Sequence, residues 1–174
     1  LTVNSFGDGK KFISGNQCEK GLGKATAGEQ LPNLYEFKRN YLTSLKSEEG
    51  TRGTVGMPLA LGMYELLPLW HAVFTKLGFN VKVSPMSTRR IYEKGQFSIP
   101  SDTACYPAKI MHGHIETLIS DGVDAIFYPC LTYNMDEKMT DNHYNCPVVA
   151  YYSELLNGNV EELKRVKFLY PYLN

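Results

Sequence analysis

The chain has 174 residues, 43% of them hydrophobic, which is enough for one ordinary domain core with a small extra element at one end. Lysine plus arginine equals aspartate plus glutamate at 18 each, which removes the electrostatic reason to expect a nucleic acid partner. No apolar run approaches the roughly 18 residues that a bilayer span needs, and the start, LTVNSFGDGK, lacks the basic and apolar regions of a signal peptide, so a cytoplasmic chain with no membrane partner is expected.

The first fifty residues differ in texture from the rest. FGDGKKFISGNQCEKGLGKATAGEQ is rich in glycine and short polar residues, with KKFIS as one strand between turn signals, so a hairpin or irregular arm is expected. In NLYEFKRNYLTSL, residues Leu34, Phe37, Tyr41, Leu42 and Leu45 recur at helical intervals, which predicts an amphipathic connecting helix. KSEEGTRG follows as a charged, glycine-punctuated link, and the expected division is an arm plus helix over 1–50 and an α/β domain over 51–174. The start without Met and the close on YPYLN suggest a piece of a longer protein.

From residue 51 the pattern turns regular. TVGMPLAL reads as a buried strand, and Met63, Leu66, Leu67, Trp70, Val73, Phe74 and Leu77 make a helical stripe that Gly78 stops. Pro68 suits a first-turn position, which sets the predicted start of the regular helix near Leu67. NVKVSP is a second strand, STRRIYEKG a short helix opening on Ser87, and QFSIPSD an irregular approach to a stronger helix with Ala108, Met111, Ile115, Leu118 and Ile119 as its stripe. DAIFYP and VVAYY read as third and fourth strands, and VEELKRVKFL as a closing helix. Alternating strands and helices of this length predict an α/β fold: a Rossmann-like or flavodoxin-like, mostly parallel sheet with helices on both faces.

Nucleotide-binding motifs are missing. GLGKAT lacks the flanking glycine and the Ser or Thr of a P-loop, MPLALGMYE carries one glycine where a dinucleotide turn wants three, and no G-x-S-x-G turn is present. Four cysteines, widely spaced, do not read as a disulfide framework. In a parallel sheet, helix starts and strand ends share one edge, so Cys105, ahead of a helix, and Cys130, after AIFYP, are expected at one crevice. Cys105 would also feel the positive end of its helix, which favours a thiolate or an anionic cluster. Thiolates select iron–sulfur clusters or zinc. Against this stands the ordinary reading of each cysteine as a small buried apolar residue, and no C-x-x-C pair is present.

Cys146 precedes VVAYY, and if that segment is a parallel strand it belongs at the opposite edge unless the loop 131–145 folds back over the rim. Cys18, in the arm, is the least placed for a shared site. His112 and His114 are two apart on one helix and cannot chelate one ion as an i, i+4 pair does, so they are read as satisfied structural histidines, and His71 as an ordinary helix residue. His143, near Cys146, is a candidate to hydrogen-bond a ligand.

GMPLALGMYELLPLWHAVFTKLGFNVKVSPMST, KGQFSIPSDTACYPAKIMHGHI, GVDAIFYPC and NHYNCPVVAYY together resemble the domain that follows the ATPase module in large activator-type proteins of 2-hydroxyacyl-CoA dehydratases, such as those of (R)-2-hydroxyglutaryl-CoA. GDGKKFISGNQCEKG matches the segment ahead of that domain, so the resemblance covers nearly the whole chain. The related dehydratase subunits hold a [4Fe-4S] cluster through three cysteines between Rossmann-like subdomains. The resemblance therefore implies Cys105 and Cys130 as ligands, with Cys146 or a cysteine outside the chain as the third. It also implies a dehydratase, or the ATPase module of the same longer protein, as partner in low-potential electron transfer. The rival expectation is a non-catalytic docking or acyl-CoA-binding module with free or zinc-bound thiols, zinc taking the three cysteines and His143. Ser101, Asp102, Tyr106 and Lys109 are read first as capping or surface residues and second as groups that tune such a site.

Overall fold

The structure is a computed structural model, described over residues 2–15 and 31–173. It divides into two compact units, Leu1–Leu34 and Tyr35–Asn174. In the first, β1 (Thr2–Ser5) and β2 (Lys11–Ser14) form an antiparallel hairpin with Thr2 opposite Ser14 and Ser5 opposite Lys11. Gly9, at φ 76°, supplies the left-handed residue of the turn. Phe6 and Phe12 meet edge to face across the hairpin at 5.5 Å. Cys18 and the segment KATAGEQ lie outside the described residues.

The helix predicted around residues 34–45 is α1 (Leu34–Ser44). Of its apolar residues Leu42 is buried, whereas Leu34 and Phe37 stay about 70% exposed. Lys38 fixes the helix against α2 (Met63–Lys76) through an ion pair to Glu65 and a cation–π contact with Tyr64 at 5.3 Å.

The second unit is built on four parallel strands, β3 (Thr54–Met57), β4 (Asn80–Val83), β5 (Ala125–Phe127) and β7 (Lys167–Leu169), in the order β4-β3-β5-β7. Val55 pairs with Val81 and with Ala125, and Ile126 with Phe168. Side chains of a strand alternate between faces, yet Val55, Gly56, Met57 and all of Ala125–Phe127 are buried, so both faces of the central pair are covered. Trp70 and Phe74 of α2 stack on Phe127 at 4.7 and 5.0 Å, covering one face. Leu118 of α4 (Tyr106–Ser120) lies against Gly56 on the other. The expected Rossmann-like α/β architecture is what the chain adopts, and among the described residues no helix is long and apolar enough to cross a membrane.

β5 and β7 each run on past a proline. Pro129 and Pro171 lack an N–H, which interrupts the ladder, and pairing resumes as a short parallel ribbon of β6 (Cys130–Leu131) with β8 (Tyr172–Leu173). The Tyr128 N–H donates to Leu169 O and the Cys130 N–H to Pro171 O, both at 2.9 Å, across the break.

Three predicted elements need correction. VVAYY is not a strand: it opens α5 (Pro147–Asn159). Its β-branched and aromatic residues favour a strand over five positions, but Ala150, Ser153 and Leu156 are buried at steps of three, and Pro147 presets the backbone of a first helical turn. VEELKRVKFL is not a helix: a 3₁₀ turn over Glu161–Arg165 leads into β7, the true fourth strand. The helix α2 begins at Met63 and so contains Pro68 in its second turn, where proline has no N–H to give the Tyr64 carbonyl and its ring crowds that carbonyl.

Helix α3 (Arg89–Gly95), capped by the Thr88 hydroxyl accepting from the Ile91 N–H, crosses α4 at a glycine contact. A Cβ on Gly113 would stand 1.7 Å from the Ile91 carbonyl oxygen, and one on Gly95 would stand 2.1 Å from the Gly113 nitrogen. The two backbones touch, and nothing but glycine fits. Gly113→Ala should therefore destabilise the domain by about 3 kcal/mol or more in urea titrations, whereas Gly158→Ala, with open space around it, should be neutral or stabilising by about 0.5 kcal/mol.

Candidate functional site at the C-terminal rim of the sheet

In this strand order the chain leaves β3 toward β4 on one side and returns to β5 on the other, so the rim beyond the carboxyl ends of β3 and β5 is the switch point where α/β domains form crevices. Cys105 is the N-cap of α4, with φ −63° and ψ 153°, and Cys146 is the N-cap of α5, with φ −62° and ψ 153°. A proline stands in the first turn of each helix, and each cysteine carbonyl accepts the first helical bond, from Lys109 and Ala150 respectively at 3.0 Å. Neither thiol caps its own helix. Both are exposed at a helix start, where unsatisfied N–H groups and the helix dipole favour negative charge.

Cys130 reaches the same rim from the strand side, at the head of β6. It is fully buried, and its Sγ lies 3.1 Å from the buried Ser153 hydroxyl on α5. The sequence-based doubt over Cys146 is removed by the change of α5 from strand to helix: a helix that precedes β7 starts at the carboxyl edge. The loop from 132 to 145 folds back on itself through a Tyr133–Tyr144 bridge, with the Asn134 N–H donating to His143 O at 2.8 Å and the Asn145 N–H to Thr132 O at 3.0 Å. The Asn145 side chain also donates to Leu131 O at 3.0 Å, pinning the return beside Cys130.

Two tyrosines that sequence reasoning did not single out stand among the cysteines. Tyr128 is fully buried and its hydroxyl has no hydrogen-bond partner among the described residues. Burial is the main cause that pushes that phenol far up, with smaller upward contributions from Cys130, Tyr152 and Cys146. Tyr152 is pushed up to about 12 by burial and then by Cys105. The only local hint of Tyr128 is its place two residues before Cys130 in FYPC. Tyr152 and Ser153 become visible once 147–159 is read as a helix.

Behind these lies a buried relay. Ser98 donates its hydroxyl proton to the Gly95 carbonyl at 3.1 Å and therefore accepts from His112 Nδ1–H at 2.9 Å. His112 Nε2 is left as an acceptor, and the Tyr152 hydroxyl donates to it at 3.0 Å. His114 is held between Ser84 at 2.7 Å and Ser87 at 2.9 Å, and Ser84 also accepts from the Leu59 N–H at 2.8 Å. Both histidines are satisfied structural groups, as their two-residue spacing implied. His71 is buried, with Nε2 unpartnered among the described residues. His143 is exposed and its ring stands against Tyr133 and Tyr144, at 5.5 and 6.3 Å. Lys109 donates to Asp102 O at 2.6 Å, Ser101 bonds Thr103, and Tyr106 stacks on Tyr92 at 5.4 Å, so these four brace the loop that presents Cys105.

The donor set decides what group the rim accommodates. Among the described residues no three His, Cys, Asp or Glu side chains converge on one point as a mononuclear site needs. An iron–sulfur cluster makes a different demand: it brings its own sulfide and binds each thiolate at a different iron, so the sulfurs must ring a space rather than meet. Three soft sulfur donors and two helix starts at this edge are the features that bear on such a group.

A parallel α/β domain with thiols at its switch-point rim is thus the class that fold and site define. Residues 54–174 match the family described as CoA enzyme activase uncharacterised domain (DUF2229), and the chain belongs to that family. This agrees with the resemblance to dehydratase activators. No curated protein and no solved structure matches the chain.

Burial holds both His112 and His114 down to about 4, against an ordinary value near 6.5. The unfolded chain therefore binds more protons than the folded one between about pH 6.5 and pH 4, and stability must rise with pH through that window. Urea midpoints measured from pH 4 to pH 7 should climb and then level off above the unfolded value; a flat profile would show the imidazoles to be solvated.

Proposed function

We propose that this CoA enzyme activase domain holds a [4Fe-4S] cluster at the carboxyl rim of its sheet, with Cys105, Cys130 and Cys146 as ligands. One observation supports the reading: two helix N-caps, Cys105 and Cys146, and one strand end, Cys130, lie at the carboxyl edge of the sheet. Bound there, the cluster would supply one-electron transfer at low potential.

The chain's own residues do the rest. The α4 and α5 starts offer N–H groups to the charge of the thiolates. Ser153 holds the Cys130 sulfur, and the Ser98–His112–Tyr152 relay ties α4 to α5 behind their starts. Cys105 and Cys146 are exposed, which gives an electron a short path from an outside donor, while Cys130 is shielded. The partner in this reading is a 2-hydroxyacyl-CoA dehydratase, or the ATPase module of the same longer protein, exchanging the electron across that exposed side.

Protein purified or reconstituted without oxygen should contain iron and acid-labile sulfide in equal amounts. Cys105→Ser, Cys130→Ser and Cys146→Ser should each lose most of both, and Cys18→Ser should keep them. Stoichiometric zinc without sulfide would replace the electron-transfer reading by the docking or acyl-CoA-binding one.

A further inference from the structure

A groove of about 660 Å³ opens between the first turn of α2 and the loop that returns from β6 to α5, with Glu65 and Leu66 on one side and Met135, Glu137, Met139 and Tyr144 on the other. None of the three described cysteines lines it. Both walls are set by packing within the domain. A Cβ on Gly62 would stand 2.8 Å from Leu131 Cδ1 and 3.2 Å from Val149 Cγ1, so the α2 start lies directly on β6 and the first turn of α5. The facing loop is braced by its own bonds: the Tyr144 N–H donates to Asn142 Oδ1 and the Lys138 N–H to Asp136 Oδ1, both at 2.9 Å.

Two features of this surface coincide. Met135 and Met139, four residues apart in TYNMDEKMTDNHYN, are 84% and 82% exposed, whereas Met57, Met63 and Met111 are fully buried. Flexible, polarizable thioethers adapt to irregular partners and are enriched at binding surfaces. The second feature is charge. The whole chain balances to zero, yet residues 132–145 carry Asp136, Glu137 and Asp141 against Lys138 alone, an excess of two negative charges. Lys138 is already paired with Asp136, and no lysine or arginine lines the groove. Glu65 is answered by Lys38 of α1, which leaves Glu137 and Asp141 to set the sign of the loop.

We propose that this groove docks a partner protein through a basic segment with apolar anchors, the anchors seating among Met135, Met139 and Tyr144 and the lysine or arginine side chains meeting Glu137 and Asp141. A polypeptide fits better than a small molecule, because every lining residue except Leu66 is exposed and a ligand sunk among such walls would stay wet. A phosphate-bearing ligand would meet carboxylates with no cation to receive it. The inference does not depend on what the thiols hold. It seats the partner beside the start of α5, since Tyr144 stands two residues before Cys146.

The test follows the methionine methyl signals of the full chain by NMR. The probe is a short amphipathic peptide of arginine and leucine; the glutamate-and-leucine peptide of the same spacing and free coenzyme A are the controls. The basic peptide should shift the methyls of Met135 and Met139 and leave those of Met57, Met63 and Met111 in place, and neither control should move any of them. Glu137→Lys should weaken binding about tenfold with the buried methyl signals unchanged, which reports an intact fold. The same reversal outside the groove, Glu161→Lys, should bind as wild type does. Met139→Gln should also weaken binding, which attraction by charge alone would not produce. Shifts that miss Met135 and Met139, an affinity unaltered by Glu137→Lys or by Met139→Gln, or a response to coenzyme A in place of the basic peptide overturns the inference and leaves the cluster reading to its own iron and sulfide assay.

Discussion

Parallel pairing of β3, β5 and β7 forces every connecting helix to begin at the edge where the strands end. Everything proposed about this domain follows from that constraint, because each of the three described cysteines sits at one of those junctions. The prolines sharpen it. Pro107 and Pro147 sit in the first turns of α4 and α5, and the N-cap cysteines ahead of them are extended with nearly the same backbone angles. Pro129 acts from the strand side, ending the β5 ladder so that Cys130 starts a separate ribbon with β8. Three sulfurs are placed by backbone rules before any side-chain packing is considered.

Packing then sets their surroundings. The glycine contact between α3 and α4 brings the two helix backbones together, and the buried His112 that follows from it reaches Tyr152 on α5. Ser153, the next residue, reaches Cys130. One turn of α5 thus couples the relay behind Cys105 to the strand-end thiol. Keeping both imidazoles neutral costs the domain stability in acid but leaves their nitrogens committed to single partners. The Tyr128 hydroxyl and Trp70 Nε1, whose ring packs on Phe127, are buried without a hydrogen-bond partner among the described residues.

The alternation of strands and helices was legible from periodicity, and so were the positions of Cys105 and Cys130, since a cysteine before a Pro-led helix and one after a buried apolar run have few other places to go. Cys146 was misplaced because a five-residue window of Val, Ala and Tyr carries strand propensity; only across Pro147–Asn159 does the helical spacing of Ala150, Ser153 and Leu156 show. The closing strand was hidden for the complementary reason, three residues of Lys167–Leu169 behind a charged turn. Tyr152 and Ser153 were out of reach, because what matters about them is a contact between elements forty residues or fewer apart in sequence but joined only by the fold. The same holds for Gly95 and Gly113, whose spacing says nothing about the carbonyl that each must clear.

The claim at the centre is that the rim holds several irons bridged by sulfide, with thiolate as the protein's contribution. Iron-edge X-ray absorption of the anaerobically loaded protein reads that directly. The account predicts a shell of sulfur alone around iron together with an iron–iron vector; a shell of nitrogen and oxygen with no iron–iron vector would contradict it.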